Sequence, residues 1–210
     1  MRSPLKTAEA WNRRLHYYAG LLLLPFLALF AFTGLILNHP KWTFAEFWPT
    51  RHEVAFERPV AKPAGATDLE KARDLMRQLG VSGEIDWTTT HPSSNRFDFR
   101  VSRPGTLLEI KTDLDRGTAT VKRIQTNTWG IVHMLHTFTG VRTTDPDNHR
   151  DWLFTYLWSA SMDAVAAGLA LMALGSIWMW YRLKTKRRLG ALVLASGFAA
   201  TALFLLAPGF

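Results

Sequence analysis

The chain has 210 residues, no cysteine and a formal net charge of +8. Without cysteine there can be no disulfide, thiolate metal site, iron–sulfur cluster or covalent c-type haem, so a metal or haem would depend on histidine or methionine. The positive charge does not indicate nucleic-acid binding, because the basic residues cluster beside long apolar runs, where the positive-inside rule and anionic lipid headgroups account for them.

The first apolar run lies between His16 and His39, and none of its 22 residues is charged. A helix of this length crosses a hydrocarbon core of ~30 Å at ~1.5 Å per residue. We therefore predict a cytoplasmic leader over 1–12 and a transmembrane helix over 13–39. The two histidines would then lie at opposite membrane interfaces, and the basic residues of the leader indicate a cytoplasmic N-terminus.

The segment after this helix, residues 40–66, is rich in proline and shows no sustained helical or strand periodicity, which predicts a linker. Thr67 and Glu70 then form a capping box that predicts a helix over Asp68 to Leu79, and Gly80 supplies its stop.

Four segments of period two follow this helix, separated by turn residues. The predicted strands are Glu84 to Thr90, Arg96 to Ser102, Leu107 to Asp113 and Ala119 to Gln125. A helix followed by an antiparallel meander makes residues 67–125 a small α+β domain.

An interfacial helix and loop are predicted over 126–150. The apolar stretch from Thr128 to Phe138 is too short to span a bilayer. Its helical spacing puts Trp129, His133 and His136 on one narrow face. Beyond it, residues 145–148 predict a turn, with Asp147, Asn148 or Asp151 as alternative caps of the next helix.

Two more transmembrane helices are predicted, over 152–181 and 189–207. The basic residues between them indicate a cytoplasmic connection. Asp163 is the one ionisable interruption of the first of these helices, and small residues recur around it. We expect Asp163 to point into the helix bundle, either as a hydrogen-bond hub or as a proton relay. The predicted fold is thus an α-helical membrane protein with three transmembrane helices and a small extracytoplasmic α+β domain inserted between the first and second.

The central domain resembles the PepSY domain, and nearly the whole chain resembles a small member of the PepSY-associated transmembrane family. The residues that carry the PepSY resemblance are Leu69-Glu70-Lys71-Ala72, Arg103-Pro104-Gly105, Ile110-Lys111-Thr112-Asp113 and Asp115-Arg116-Gly117. Those that carry the wider resemblance are Leu15-His16 with Gly20, Thr33-Gly34-Leu35, Asn38-His39, Leu135-His136 with Gly140, and the run from Trp158 to Gly168.

This resemblance implies a bacterial inner (cytoplasmic) membrane protein with its central domain in the periplasm or outside the cell. Larger relatives include inner-membrane ferric-siderophore reductases, thought to pass electrons through b-type haem held by transmembrane histidines. The present chain departs from them in having three predicted spans instead of four or more.

The candidate haem ligands are His39, His133, His136 and His16, with Trp129 packing against the macrocycle. Two histidines three residues apart on one helix cannot supply both axial positions of one haem, so His39 is the natural second ligand for the outer pair. The alternatives are that His39 caps its helix and that His16 anchors the interface. No other metal and no catalytic residue is predicted.

Two functions from different classes remain open. The first is a haem b electron-transfer subunit linked to extracytoplasmic metal reduction of the ferric-siderophore type. The second is a non-catalytic accessory or regulatory membrane protein whose PepSY domain binds an envelope partner such as a peptidase. The sequence lacks metallopeptidase, nucleophile-elbow and phosphate-loop motifs. The lipid bilayer is the expected partner, and a homodimer or a redox partner is left open.

Overall fold

Three long helices dominate the computed structural model, which describes residues 4–140 and 149–206. They are α1 (Pro4–Asn38), α4 (Leu153–Arg182) and α5 (Arg187–Leu206). The spans Thr7–Asn38, Leu153–Arg182 and Lys184–Leu206 are long and apolar enough to cross a membrane. In chain order, all the strands fall between α1 and α4.

Helix α1 begins earlier than the predicted transmembrane helix, at Pro4, so residues 4–12 of the predicted leader are helical. Residues 6–10 consist mainly of strong helix formers, and Arg13 Nη2 pairs with Glu9 Oε1 at 2.8 Å, one turn away. The helix ends at Asn38 because the residue before Pro40 is disfavoured in the helical conformation.

A five-stranded antiparallel sheet forms the centre of the chain, in the order β1-β5-β4-β3-β2. Its strands are β1 (His52–Pro59), β2 (Glu84–His91), β3 (Arg96–Arg103), β4 (Thr106–Asp113) and β5 (Thr118–Gln125). The four predicted strands are confirmed as β2 to β5.

Strand β1 corrects the prediction of a linker over 40–66. It is an edge strand. Phe56 is half-buried, and the other residues of the strand are exposed. Because both of its faces are largely exposed, its sequence does not alternate between apolar and polar residues. Its position is fixed by backbone pairing with a distant strand, in which Phe56 lies opposite Val121.

Helix α2 (Asp68–Leu79) covers one face of the sheet and has the predicted bounds. The Thr67 side chain accepts a hydrogen bond from the Glu70 amide, the Glu70 carboxylate accepts one from the Thr67 amide, and Gly80 ends the helix at φ 65°. The core between helix and sheet is apolar, and its fully buried side chains include Leu75, Ile85, Phe97, Phe99, Val101, Ile110 and Val121.

Helix α3 (Thr128–Thr137) follows the sheet, and its N-cap Asn127 accepts a hydrogen bond from the Gly130 amide at 3.2 Å. The predicted turn at 145–148, with the candidate caps Asp147 and Asn148, lies outside the described residues. Ala207, the last residue of the predicted third span, lies outside them too.

The chain divides into two compact units, one of Met1–Phe26 with Asp163–Phe210 and the other of Leu27–Met162. In the first unit α1 and α4 pack closely: a Cβ at Gly168 would come within 2.9 Å of Leu23 Cδ1, and Asn12 Nδ2 donates a hydrogen bond to the Gly175 carbonyl at 3.1 Å. Among its described residues, α5 buries none.

Asp163 does not point into the bundle, contrary to our expectation, because its side chain is exposed. The packed side of α4 in this unit carries Val165, Gly168 and Met172. At about 100° per residue, Asp163 lies about 200° from Val165 around the helix, on the opposite side. Of the small residues around it, Ala164 is exposed as well.

Candidate functional site

The predicted outer histidines lie in one neighbourhood of the unit Leu27–Met162, with aromatic side chains around them. We call this the histidine–aromatic cluster. It contains His39, His133, His136, Phe30, Phe32, Trp42, Phe44, Phe47, Trp48 and Trp129. The end of α1, the segment 42–48 and α3 contribute its side chains.

Asn127 anchors α3 to the segment that follows α1. Its side-chain amide donates hydrogen bonds to the Glu46 carbonyl at 3.0 Å and to Thr50 Oγ1 at 2.9 Å. Gly130 lets the helix approach closely, because a Cβ there would collide with Thr126 and come within 3.1 Å of Phe47 Cδ2. The histidines of α3 are thereby brought to the aromatic segment.

His39 holds a defined tautomer at the end of α1. Its Nδ1 lies 2.9 Å from the Leu35 carbonyl oxygen, which can only accept, so Nδ1 carries the proton. The ring stacks on Trp42, with centroids 4.4 Å apart and planes 15° apart. Nε2 is left with its lone pair, and a hydrogen-bonded Nδ1 is the usual arrangement of a metal-ligating histidine.

His133 shares a cavity with His39. The cavity measures about 320 Å³, and Trp42, Phe47 and Trp48 are among the side chains that line it. The His133 ring lies 4.8 Å from Phe47, and its buried Nδ1 has no hydrogen-bond partner within residues 4–140 and 149–206. Burial, and to a smaller extent the neighbouring His136, lower the pKa of His133. The imidazole is therefore neutral at pH 7, which is the form that ligates metals.

His136 is held by α1 and does not line this cavity. Its Nδ1 lies 2.5 Å from Thr33 Oγ1, whose own proton goes to the Leu29 carbonyl at 2.8 Å. His136 Nδ1 is consequently the donor of that hydrogen bond. The ring also makes an edge contact with Phe30 at 5.2 Å.

Trp129 makes its ring contacts with aromatic side chains of α1 and of the segment 42–48. Its ring contacts Phe32 at 6.0 Å and Phe44 at 5.7 Å. The three predicted residues of the α3 face thus have different neighbours, and only His133 shares a cavity with His39.

His16 belongs to the other compact unit. Its Nδ1 is buried without a hydrogen-bond partner among the described residues, and it lines a cavity of about 40 Å³ together with Asn12 and Met172. Asp163, in the same unit, is exposed and has no ion pair with any residue that the structure describes.

In comparisons with known proteins, no protein-family model, no curated protein and no solved structure matches this chain. The resemblance to the PepSY-associated transmembrane family therefore stays a prediction from the sequence.

The cluster offers two histidine donors and aromatic walls, the kinds of group that a histidine-ligated haem would use. No group of three or more histidine and acidic side chains that could hold a metal ion occurs in the described part of the chain. A haem iron would require fewer protein donors than such a metal site, and His39 and His133 present two imidazoles from different elements to one aromatic cavity. Its volume is at the lower end of the ~300–1,000 Å³ of small-molecule sites. His136 is instead engaged with Thr33.

Sequence reasoning missed the aromatic segment as part of the site. Trp42 and Trp48 were interpretable as a membrane-interface belt, whereas Phe47 and Thr33 carried no signal of their own. The high density of aromatic residues, four within 42–48, was the feature of the sequence that could have indicated this part of the site.

Proposed function

We propose that this chain is an integral membrane protein of the PepSY-associated type that binds b-type haem and transfers electrons to a metal substrate outside the cytoplasm, of the ferric-siderophore kind. The observation that carries the proposal is that His39 and His133, from helices α1 and α3, line one aromatic cavity. The lowered pKa of His133 supports it, because an axial ligand must be unprotonated.

In this proposal His39 and His133 would hold the haem, which would supply one-electron chemistry when bound. The Leu35 carbonyl keeps the His39 proton on Nδ1 and leaves Nε2 to bind a metal, and Trp42 and Phe47 pack against the two imidazoles. His136 positions α3 through Thr33 without ligating.

The proposed topology has the N-terminus and the α4–α5 connection in the cytoplasm and the sheet outside. Basic residues at both cytoplasmic positions support it. Reporter fusions should give cytoplasmic signals at residue 1 and at Lys184 and an external signal at Lys111. A cytoplasmic signal at Lys111 would contradict the external domain.

Absorption spectroscopy tests the haem site. The full-length protein, expressed with sufficient haem, should show a Soret band and reducible α bands. His39→Ala and His133→Ala should each produce five-coordinate, high-spin iron or an empty site. His136→Ala should keep the wild-type spectral type, and His91→Ala, on an exposed strand end, serves as the unchanged control.

Two outcomes would overturn this proposal. If both ligand variants keep the wild-type spectrum, His39 and His133 do not form the site. If the wild-type protein carries no haem, the accessory function is the better interpretation, in which the central domain binds an envelope partner such as a peptidase.

A further inference from the structure

A cleft of about 440 Å³ separates the C-terminal part of α4 from the N-terminal part of α5, within the unit Met1–Phe26 with Asp163–Phe210. Its walls are apolar: Ile177 and Trp180 face it from α4, and Leu189, Val193 and Leu194 face it from α5. Leu189 and Val193 remain 65% and 64% exposed, so protein does not fill the cleft. In a membrane, hydrocarbon chains would occupy this space.

Trp180 forms the inner wall of this cleft, where α4 packs on α5. Its indole Nε1 is buried and lies against Gly190, where any Cβ would collide with it. The nitrogen therefore does not face the open space, and the cleft offers its occupant an apolar surface.

Basic residues of the α4–α5 connection lie at the cleft and next to it in sequence. Lys186 lines it directly, and Lys184 and Arg188 are exposed beside it. None of the three has a carboxylate partner within the described ranges, 4–140 and 149–206. Arg187, by contrast, is engaged with Tyr181, since its Nε donates to the Tyr181 carbonyl at 2.8 Å and its guanidinium lies 4.5 Å from the ring centroid.

We propose that this cleft binds one anionic phospholipid, with an acyl chain between the apolar walls of α4 and α5 and the headgroup at Lys186 and its neighbours. Basic pockets between membrane helices are the usual sites of anionic headgroups. A second copy of the chain is disfavoured as the occupant, because it would bring two sets of unpaired cations together. The proposal is independent of haem.

Native mass spectrometry of the full-length protein in neutral detergent tests the site. Phosphatidylglycerol should bind saturably, at one lipid per chain, and phosphatidylcholine with the same acyl chains should bind much more weakly. Lys186→Gln should weaken phosphatidylglycerol binding by about fivefold, the effect expected for one basic charge near a membrane surface. Lys111→Gln, an exposed charge on β4, is the matched control and should bind as wild type does.

A further variant tests the apolar part of the site. Val193→Trp should fill the cleft and abolish saturable binding, since its side chain lines the open space. Circular dichroism should verify that the helical content of each variant is unchanged.

Several results would overturn the proposal. Equal binding of the two lipids would indicate a general lipid annulus, and equal effects of Lys186→Gln and Lys111→Gln would exclude the headgroup contact. Competition by glycerol phosphate as strong as that by the intact lipid would indicate a site for a free anion at the basic cluster. Binding unchanged in Val193→Trp would show that no acyl chain enters the cleft.

Discussion

Thr33 Oγ1 and His136 Nδ1 lie 2.5 Å apart, joining α1 to α3 across 103 positions of sequence. Thr33 is 1% exposed, and its hydroxyl donates to the Leu29 carbonyl one turn earlier. The hydroxyl therefore acts as acceptor for the imidazole and as donor within its own helix. This contact holds α3 against α1 three residues beyond His133.

Replacement of Thr33 by valine keeps the shape of the side chain and removes its oxygen. The His136 N–H then loses its acceptor, and we expect the free energy of unfolding to fall by about 1 kcal/mol, as for side-chain hydrogen bonds between membrane helices. SDS-induced unfolding in mixed micelles measures it. Thr201→Val, which removes an exposed hydroxyl bonded to the Gly197 carbonyl, is the control. Equal stabilities of the two variants would contradict the interhelical role of Thr33.

Stability should depend on pH through His133. Its folded-state pKa is lowered below the ordinary 6.5, so in the interval between the two values the unfolded chain binds more protons than the folded one. The folded protein should thus lose stability as the pH falls through 6.5 toward the lowered pKa, and regain it as the pH rises.

Thermal unfolding at pH 7.5, 6.5 and 5.5 measures this dependence. The Tm of His133→Gln should fall less over this range than that of the wild type, whereas His52→Gln, an exposed edge-strand histidine, should fall as the wild type does. Four carboxyls also have a lowered pKa, namely Glu53, Asp68, Glu70 and Asp74. Their protonation affects stability only below about pH 4.5, which is outside the pH range of this measurement. Parallel curves for wild type and His133→Gln would contradict the burial of His133.

The sequence predicted those parts of the sheet domain that are determined by residues close together in the chain. The Thr67 and Glu70 capping box and the left-handed Gly80 are encoded within a few residues, and both ends of α2 are confirmed. Strands β2 to β5 alternate because one face is buried under α2. Strand β1 was not predictable, because an exposed edge strand is defined by its pairing with another strand, and its partner residues in β5 lie 59 to 73 positions further along the chain.

The site was predictable only in part for the same reason. The histidines were visible as residues at the ends of apolar runs, and His39 with His133 does share a cavity. The walls of that cavity depend on the contacts that Asn127 makes with Glu46 and Thr50, about 80 positions away. The spacing of residues within α3 cannot predict these long-range contacts, so it could not predict the walls of the cavity.

Asp163 gives a prediction opposite to the one that its sequence suggests. Since the side chain is exposed on the side of α4 away from Val165, Asp163→Leu should leave the fold of a single chain intact and unfold no earlier than the wild type. Val165→Asp, which puts a carboxylate on the packed side where Val165 is 8% exposed, should lower stability and expression. SDS-induced unfolding compares them. Loss of stability in Asp163→Leu would show that the aspartate has a partner.

Glu84 connects the sheet to the start of α4 within the unit Leu27–Met162. Its carboxylate is 2% exposed and accepts hydrogen bonds from the amides of Asp151 and Trp152, each at 2.9 Å. Arg73 of α2 pairs with Asp151 at 2.6 Å and strengthens the same connection. An acidic group at this end of a helix also interacts favourably with the helix dipole.

Glu84→Gln should loosen this connection, because the amide group of glutamine offers one acceptor oxygen in place of two and turns an N–H₂ toward a backbone N–H. A buried donor left without an acceptor costs about 1–3 kcal/mol. Hydrogen exchange followed by mass spectrometry should show faster exchange in peptides covering 149–155. Glu57→Gln, an exposed carboxylate on β1, should leave that exchange unchanged. If Glu84→Gln exchanged at the wild-type rate there, Glu84 would not hold the first turn of α4.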